Sequence, residues 1–381
     1  MTTEEEDPVR ERSPRSKPSF RNYKCFAMGI AYCGEGYFGS QIQPGDLPTV
    51  ERDLQKALVD AGLVDSRLLT EDSLKSQFFW SRAARTDRGV HACMNLVACR
   101  LDSSKIKSSN SEPATPTSPL VLDQADFVAN LNKHLPDAIR AVFINRVTMR
   151  FDARLNCERR RYEYYLPRAI GPLSIDWEAL NGEMQKFVGT HKFHNFTKSV
   201  KYSTKQAVRH IVAIDVTPFG EDFICISLLG QSFLLNQIRK MIGLAVEVVL
   251  GLAPPDSVSA ALTSPNVVHV HMVPGEGLLL DRLFFTGYDL HRCGDYAVTT
   301  PFSWILGEEN DMSDMDSFVQ KQLTQFKTGL LPEFVLGKLE GAFQFWMDKV
   351  VLANPWDKRH EAASTCTQSA APELSNSDAE E

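Results

Sequence analysis

The densest run of chemically capable side chains in the 381 residues is Ser81-Arg-Ala-Ala-Arg85-Thr86-Asp87-Arg88-Gly89-Val90-His91-Ala92. One carboxylate stands there among three arginines. A guanidinium beside a carboxyl favours the charged form and lowers its pKa, so Asp87 is expected as an ionised nucleophile or base rather than a proton donor. The competing reading is an ordinary surface ion pair, which contributes little. A second cluster is Arg159-Arg160-Arg161-Tyr162-Glu163-Tyr164. On a strand, Tyr162 and Tyr164 share a face, where a tyrosine ring offers a stacking platform for an unstacked base and its hydroxyl a group for proton movement. Aromatic core packing is the alternative for both. His269 and His271 alternate as along a strand; with no nearby thiol and no third ligand they read as structural rather than as a metal pair.

The segment 81–92 closely resembles the hallmark motif of the TruA family of tRNA pseudouridine synthases, Arg-Thr-Asp-x-Gly-Val-His-Ala, whose Asp is catalytic. Further matches follow in order over roughly residues 23 to 290. Tyr32-Cys33-Gly34 and Tyr37-Phe38-Gly39-Ser40-Gln41 are similar to the family's aromatic-Asp-Gly turn and its Gly-Trp-Gln ending, with Cys33 and Ser40 in place of Asp and Trp. Thr49-Val50-Glu51 opens a helix as in the family, and 159–164 matches the Arg-x-Tyr-x-Tyr strand. Gly230 to Gly243 resembles the second-half helix that supplies an arginine to the catalytic Asp, and Pro274-Gly-Glu-Gly277-Leu278-Leu279-Leu280 the strand that closes the uracil pocket.

The resemblance implies a site residue by residue. Asp87 is the catalytic carboxylate, Tyr162 stacks on the uracil while Tyr164 stays in the core, and Arg239 pairs with Asp87 and keeps it ionised. Leu278 or Leu280 walls the pocket, and Arg85 occupies the space of the flipped nucleotide or grips its phosphate. Arg88, Arg160, Arg161, Lys192, His194 and Lys198 are expected to hold the RNA. An Asp87 beyond hydrogen-bond reach of both Arg85 and Arg239 would sink this assignment. Converting uridine to pseudouridine breaks the C1′–N1 bond and rejoins the same uracil through C5, so no metal or other cofactor is expected.

The implied partner is tRNA, with mRNA or another structured RNA as further substrates, and the implied assembly a monomer or homodimer. Gly189 to Thr197 and Leu135 to Arg140 look most like the eukaryotic multisite branch. That branch, with the basic patch Arg10 to Lys17, points to the nucleus, with cytoplasm or mitochondrion as alternatives. Two rivals are weighed. A non-catalytic tRNA-remodelling protein of the same fold would not need Asp87; a retaining glycosidase would need two carboxylates about 5 Å apart, and the motif holds one.

These groups must be positioned by a mixed strand and helix scaffold. Strands are expected at Cys25–Tyr32, Met94–Leu101, Ala141–Thr148, Arg161–Leu166, Arg209–Val216, Asp222–Leu229 and Leu278–Phe285. Helices are expected from Val50 with Thr49 as cap, at Asp123–His134, Trp177–Val188 and Phe233–Leu250. Adjacent strand pairs, and no Gly-x-Gly-x-x-Gly opening a helix, favour an α+β or mixed-sheet α/β architecture over a doubly wound fold. The resemblance implies two pseudo-symmetric halves, 23–150 and 151–292, forming one continuous, mainly antiparallel sheet with a central basic cleft. A helical extension is expected over 293–356, tails over 1–22 and 357–381, and a surface insertion over 102–119.

Composition agrees with a soluble intracellular enzyme: 43% hydrophobic and 23% charged residues exclude collagenous, wholly disordered and coiled-coil chains. Eight cysteines contain no Cys-x-x-Cys pair, which argues for reduced thiols. The net charge of −7 speaks against a polyanion partner until its distribution is read. Acids concentrate in 308–316 and 357–381, whereas 186–210 carries six basic residues and no acid, and 150–168 six arginines against three acids. Such belts bind polyanions locally whatever the total.

Overall fold

The computed structural model describes residues 22–68, 77–108, 122–293, 300–307 and 316–360. The expected tails, apart from Asn22 and residues 357–360, and the 109–119 part of the expected insertion lie outside these residues.

Strand β1 (Tyr23–Tyr32) is apolar along almost its whole length and buried on both faces, as an interior strand must be. It pairs antiparallel with β3 (His91–Asp102) and β4 (Ile139–Arg146), while the two-residue β2 (Ser81–Arg82) joins β3 at its side. The second half supplies β5 (Arg159–Pro167), a small separate hairpin of β6 (Ala169–Ile170) and β7 (Leu173–Ser174), then β8 (Gly189–Lys192), β9 (Val208–Phe219), β10 (Phe223–Gly230) and β11 (Leu278–Phe284). The nine-stranded sheet runs β4-β1-β3-β11-β5-β10-β9-β8. The halves meet where β11 pairs parallel with β3, through Leu279 with His91 and Leu280 with Ala92, and antiparallel with β5. Every other pairing in the sheet is antiparallel, so the expected continuous, mainly antiparallel mixed α/β sheet is what the chain forms.

Helices α1 (Val50–Asp60), α2 (Gln124–Asn132), α4 (Trp177–Gln185) and α5 (Gln237–Val249) bury apolar stripes, whereas the single turn α3 (Ala153–Asn156) buries Ala153 alone. Thr49 does stand at the N-cap of α1, yet its hydroxyl makes no capping bond and is buried without a partner. Glu51 in the first turn performs the anchoring instead. Its buried carboxylate accepts from the Ile42 N–H, the Trp80 indole and the Arg82 guanidinium, tying α1 to the strand that leads into the arginine-rich motif. Helix α5 starts at Gln237 rather than Phe233 because Asn236 adopts a left-handed φ of 62° that ends the preceding loop.

Residues 265–277 form a loop, so His269 and His271 are not on a strand. The His271 Nδ1 lies 2.9 Å from Glu247 Oε1, and among the described residues no group of three or more His, Cys, Asp or Glu could hold a metal. The chain beyond 356 is not wholly tail. Trp356–His360 forms a helical turn whose Arg359 is buried, paired with Glu247 of α5 and donating to the His269 carbonyl at 3.0 Å. Residues 317–330 and 337–346 are helices of the expected C-terminal extension; Lys327 from the first bridges Glu163 and Asp281. No helix among the described residues is long and apolar enough to cross a membrane, and Cys25, Cys33, Cys93, Cys99, Cys157 and Cys225 are unbridged.

Candidate active site

The loop carrying Asp87 is held by backbone pairing on both sides. Asn95 of β3 brackets Ala84, accepting from its N–H at 3.3 Å and donating to its carbonyl at 3.0 Å. Ser40 clasps Thr86 in the same two-way manner: its N–H donates to the Thr86 carbonyl at 3.2 Å and its Oγ accepts from the Thr86 N–H at 3.0 Å. The Thr86 hydroxyl then meets the Tyr32 hydroxyl at 2.9 Å. Two glycines permit this approach. At Gly39 φ is +98° and a Cβ would stand 2.9 Å from the Thr86 carbonyl oxygen; at Gly34 a Cβ would stand 2.2 Å from that of Val90.

Asp87 opens into a cleft of about 920 Å³. Its walls come from five separated stretches: the motif 80–90, the α3 turn with Arg160 and Tyr162, Arg209, the 231–239 loop and helix start, and Leu278. The Tyr162 ring is 6% exposed and meets Phe233 edge-on with centroids 5.2 Å apart. Burial pushes its hydroxyl well above the ordinary tyrosine value, with Arg160 opposing. Burial thus holds the phenol in its neutral form.

A model of the family described as tRNA pseudouridine synthase matches residues 184–286. The pseudouridylate synthase 1 homolog of mouse (Mus musculus) is 33% identical over 313 residues, covering 77% of this chain and 67% of that protein. The chain belongs to the tRNA pseudouridine synthase family. The human homolog is 33% identical over 294 residues, 72% of this chain and 63% of that protein, so the chain spans about two thirds of the length of these relatives. The tRNA pseudouridine(27/28) synthase of Saccharomyces cerevisiae is 28% identical over 338 residues, covering 69% of this chain and 84% of that protein.

The synthase brings six of the sequence-predicted residues into the one cleft: Asp87, Arg85, Tyr162, Arg239, Leu278 and Arg160. The expected ion pair is absent, so the hydrogen-bond test set by the sequence is not met, and the case for Asp87 rests on the cleft into which it opens. Among the described residues no salt bridge joins Asp87 to Arg239 or to Arg85, and the Asp87 carboxyl is raised above the usual value, not lowered, because burial outweighs the opposing field of Arg239 and the Asn236 amide. The reason lies in where the arginines point. Arg85 is exposed, and the Arg239 Nε is spent on the Val273 carbonyl at 2.8 Å. What remains is a partly desolvated carboxylate facing an arginine at longer range, which makes Asp87 a stronger base and nucleophile than a solvated one.

The other expected residues are differently placed. The buried Arg160 guanidinium lies at the cleft but donates to the carbonyls of Ala83, Arg154, Cys157 and Gln231. Arg161 is on the other face, paired with Asp281 at 3.0 Å. Leu280 sits opposite Tyr162 in the β5–β11 ladder, is fully buried and does not line the cleft. Arg88 lies over the Phe38 ring at 4.4 Å and faces a neighbouring cavity of about 800 Å³. Lys192, His194 and Lys198 are outside the cleft lining. Lys192 caps the Tyr202 ring at 3.6 Å and Lys198 is exposed, whereas His194 is only 8% exposed and burial pushes its pKa down. Sequence reasoning missed Ser40, Asn95 and Glu51. Ser40 and Glu51 stood in matched segments, but only the fold shows what they grip.

Proposed function

We infer that the chain isomerises uridines of tRNA to pseudouridine with Asp87 as the catalytic carboxylate. The observation that supports this reading is the convergence of Asp87, Tyr162, Arg239 and Leu278, from segments far apart in the chain, on one cleft. Asp87 acts at the ribose or the uracil while the C1′–N1 bond breaks, the Tyr162 ring stacks on the detached base as it turns, and the C5–C1′ bond then forms, the C5 proton leaving and N1 taking up a proton from solvent. Leu278 walls the pocket against water, which would hydrolyse the sugar. Exposed Arg85 at the cleft takes the nucleotide's phosphate or the space it leaves. The same reading takes mRNA or other structured RNA as further substrates, a monomer or homodimer as the working form, and the nucleus as its place, each checkable by labelling cellular RNA, sedimentation and imaging of the tagged chain.

Tritium release from tRNA labelled at uracil C5 tests the proposal directly. Wild type is expected to release label, and Asp87→Asn to be slower by about a thousandfold or more, since a carboxamide supplies neither negative charge nor basicity. Salt-dependent tRNA binding by both proteins with release by neither would favour the non-catalytic tRNA-binding reading.

A further inference from the structure

Two leucines at the cleft are more exposed than a leucine in a packed protein needs to be. Leu155 is 71% exposed and Leu235 57%, and both line the cleft into which Asp87 opens. Neither is on a slack segment. Leu155 lies within the single turn α3, whose Leu155 and Arg154 N–H groups are capped by Asp152 at 2.9 Å and whose Ala153 N–H is fixed to the Ser81 hydroxyl at 3.0 Å. Leu235 precedes the left-handed Asn236, and its carbonyl accepts from the Thr197 hydroxyl at 2.9 Å. The buried Arg160 guanidinium joins the two supports by donating to Arg154 and Gln231. Both side chains thus stand on braced backbone with apolar surface directed to solvent, which globular packing does not reward.

The surroundings indicate what covers them. Arg85, Arg154, Arg209 and Arg239 line the same cleft against two acids, Asp87 and Asp152, while the two other lining arginines, Arg82 and Arg160, are held by Glu51 and by backbone carbonyls. An apolar protein surface does not match that charge; a nucleic-acid strand matches both, with phosphates for the arginines and base faces for the leucines. We propose that Leu155 and Leu235 are wedges that enter the RNA base stack on either side of the target uridine and hold its neighbours apart while it occupies the Asp87 cleft. This inference rests on the tRNA-modifying reading above. Apolar side chains inserted at base steps unstack them in just this way, the wedge contacts offsetting the stacking that is lost.

The test compares wild type, Leu155→Ser, Leu235→Ser and the double variant, with Leu352→Ser, exposed at 56% and remote from the cleft, as control. Each single variant is expected to lower kcat on folded tRNA about tenfold and the double about a hundredfold. KM should change little, because charge dominates binding. On a short RNA presenting the target uridine in an unpaired, unstacked bulge, the variants should recover to within about threefold of wild type, since that substrate has already lost its stacking. Binding of wild type should also brighten 2-aminopurine placed beside the target, and binding of the double variant should not. Variants as fast as wild type on folded tRNA, or equally slow on both substrates, overturn the wedge. If wild type itself forms no pseudouridine the functional reading falls, and the fluorescence still decides: brightening by wild type and not by the double variant supports the wedge, and equal signals overturn it.

Discussion

At the scale of single residues, the field around Asp87 is set by desolvation first and by Arg239 second. A carboxyl raised in the fold binds protons that the unfolded chain has released, so its contribution to stability falls as pH climbs from the unfolded toward the folded pKa. Asp87→Asn should therefore be more stable than wild type at neutral pH, with the gain shrinking as the medium is acidified; urea melts at two pH values would show it. Activity carries the opposite sign, because the ionised form is the working one. The acid limb of kcat/KM should lie above the ordinary aspartate range, and Arg239→Met, which removes the cation that opposes the rise, should move the limb higher still. A pH profile unchanged by Arg239→Met would detach Arg239 from Asp87. The chemistry was legible here and the electrostatics were not: Arg85 and Arg88 crowd Asp87 in sequence, yet they point to solvent and to Phe38, and no spacing rule reveals that.

At the scale of elements, strands and helices fell close to their expected bounds, because period-2 and period-3.6 patterns report burial directly. The errors lie where side chains rather than patterns set the ends, as at Asn236 before α5 and in the 265–277 loop. Arg160 is the clearest case of a residue whose type misleads. Its place among arginines in 150–168 suggests phosphate contact, and its burial among four carbonyls gives it a positioning role instead. It ties the motif at Ala83, the α3 turn at Arg154 and the approach to α5 at Gln231. Arg160→Met leaves those buried acceptors unpaired and should lose about 2 kcal/mol in urea denaturation. Its kcat should fall by about tenfold or more in buffer where the variant is fully folded, since misplacing catalytic groups by about an ångström is expensive. Arg160→Lys, which keeps the charge with fewer donors, should recover part of the rate. Lost stability with an unchanged kcat would reduce Arg160 to a packing residue.

At the scale of the whole molecule, a chain of net charge −7 must bind a polyanion through a local surface. Arg209 closes the basic belt 186–210 and also lines the Asp87 cleft, so the belt reaches the site. Lys192 and Lys198 lie farther along that belt, on the segment where Tyr202 carries the Lys192 ammonium on its face. Binding through about four to six phosphates should weaken the tRNA complex roughly a hundredfold or more between 50 and 200 mM salt. If the track extends from cleft to belt, Lys192→Ala and Lys198→Ala should each lower the slope of log Kd against log salt by about 1, with little change in kcat at saturating tRNA. His194 should leave the slope alone, because burial favours its neutral form. Slopes unaltered by the lysine variants, but lowered by Arg85→Ala, would confine the RNA footprint to the cleft and leave the belt a solvated surface.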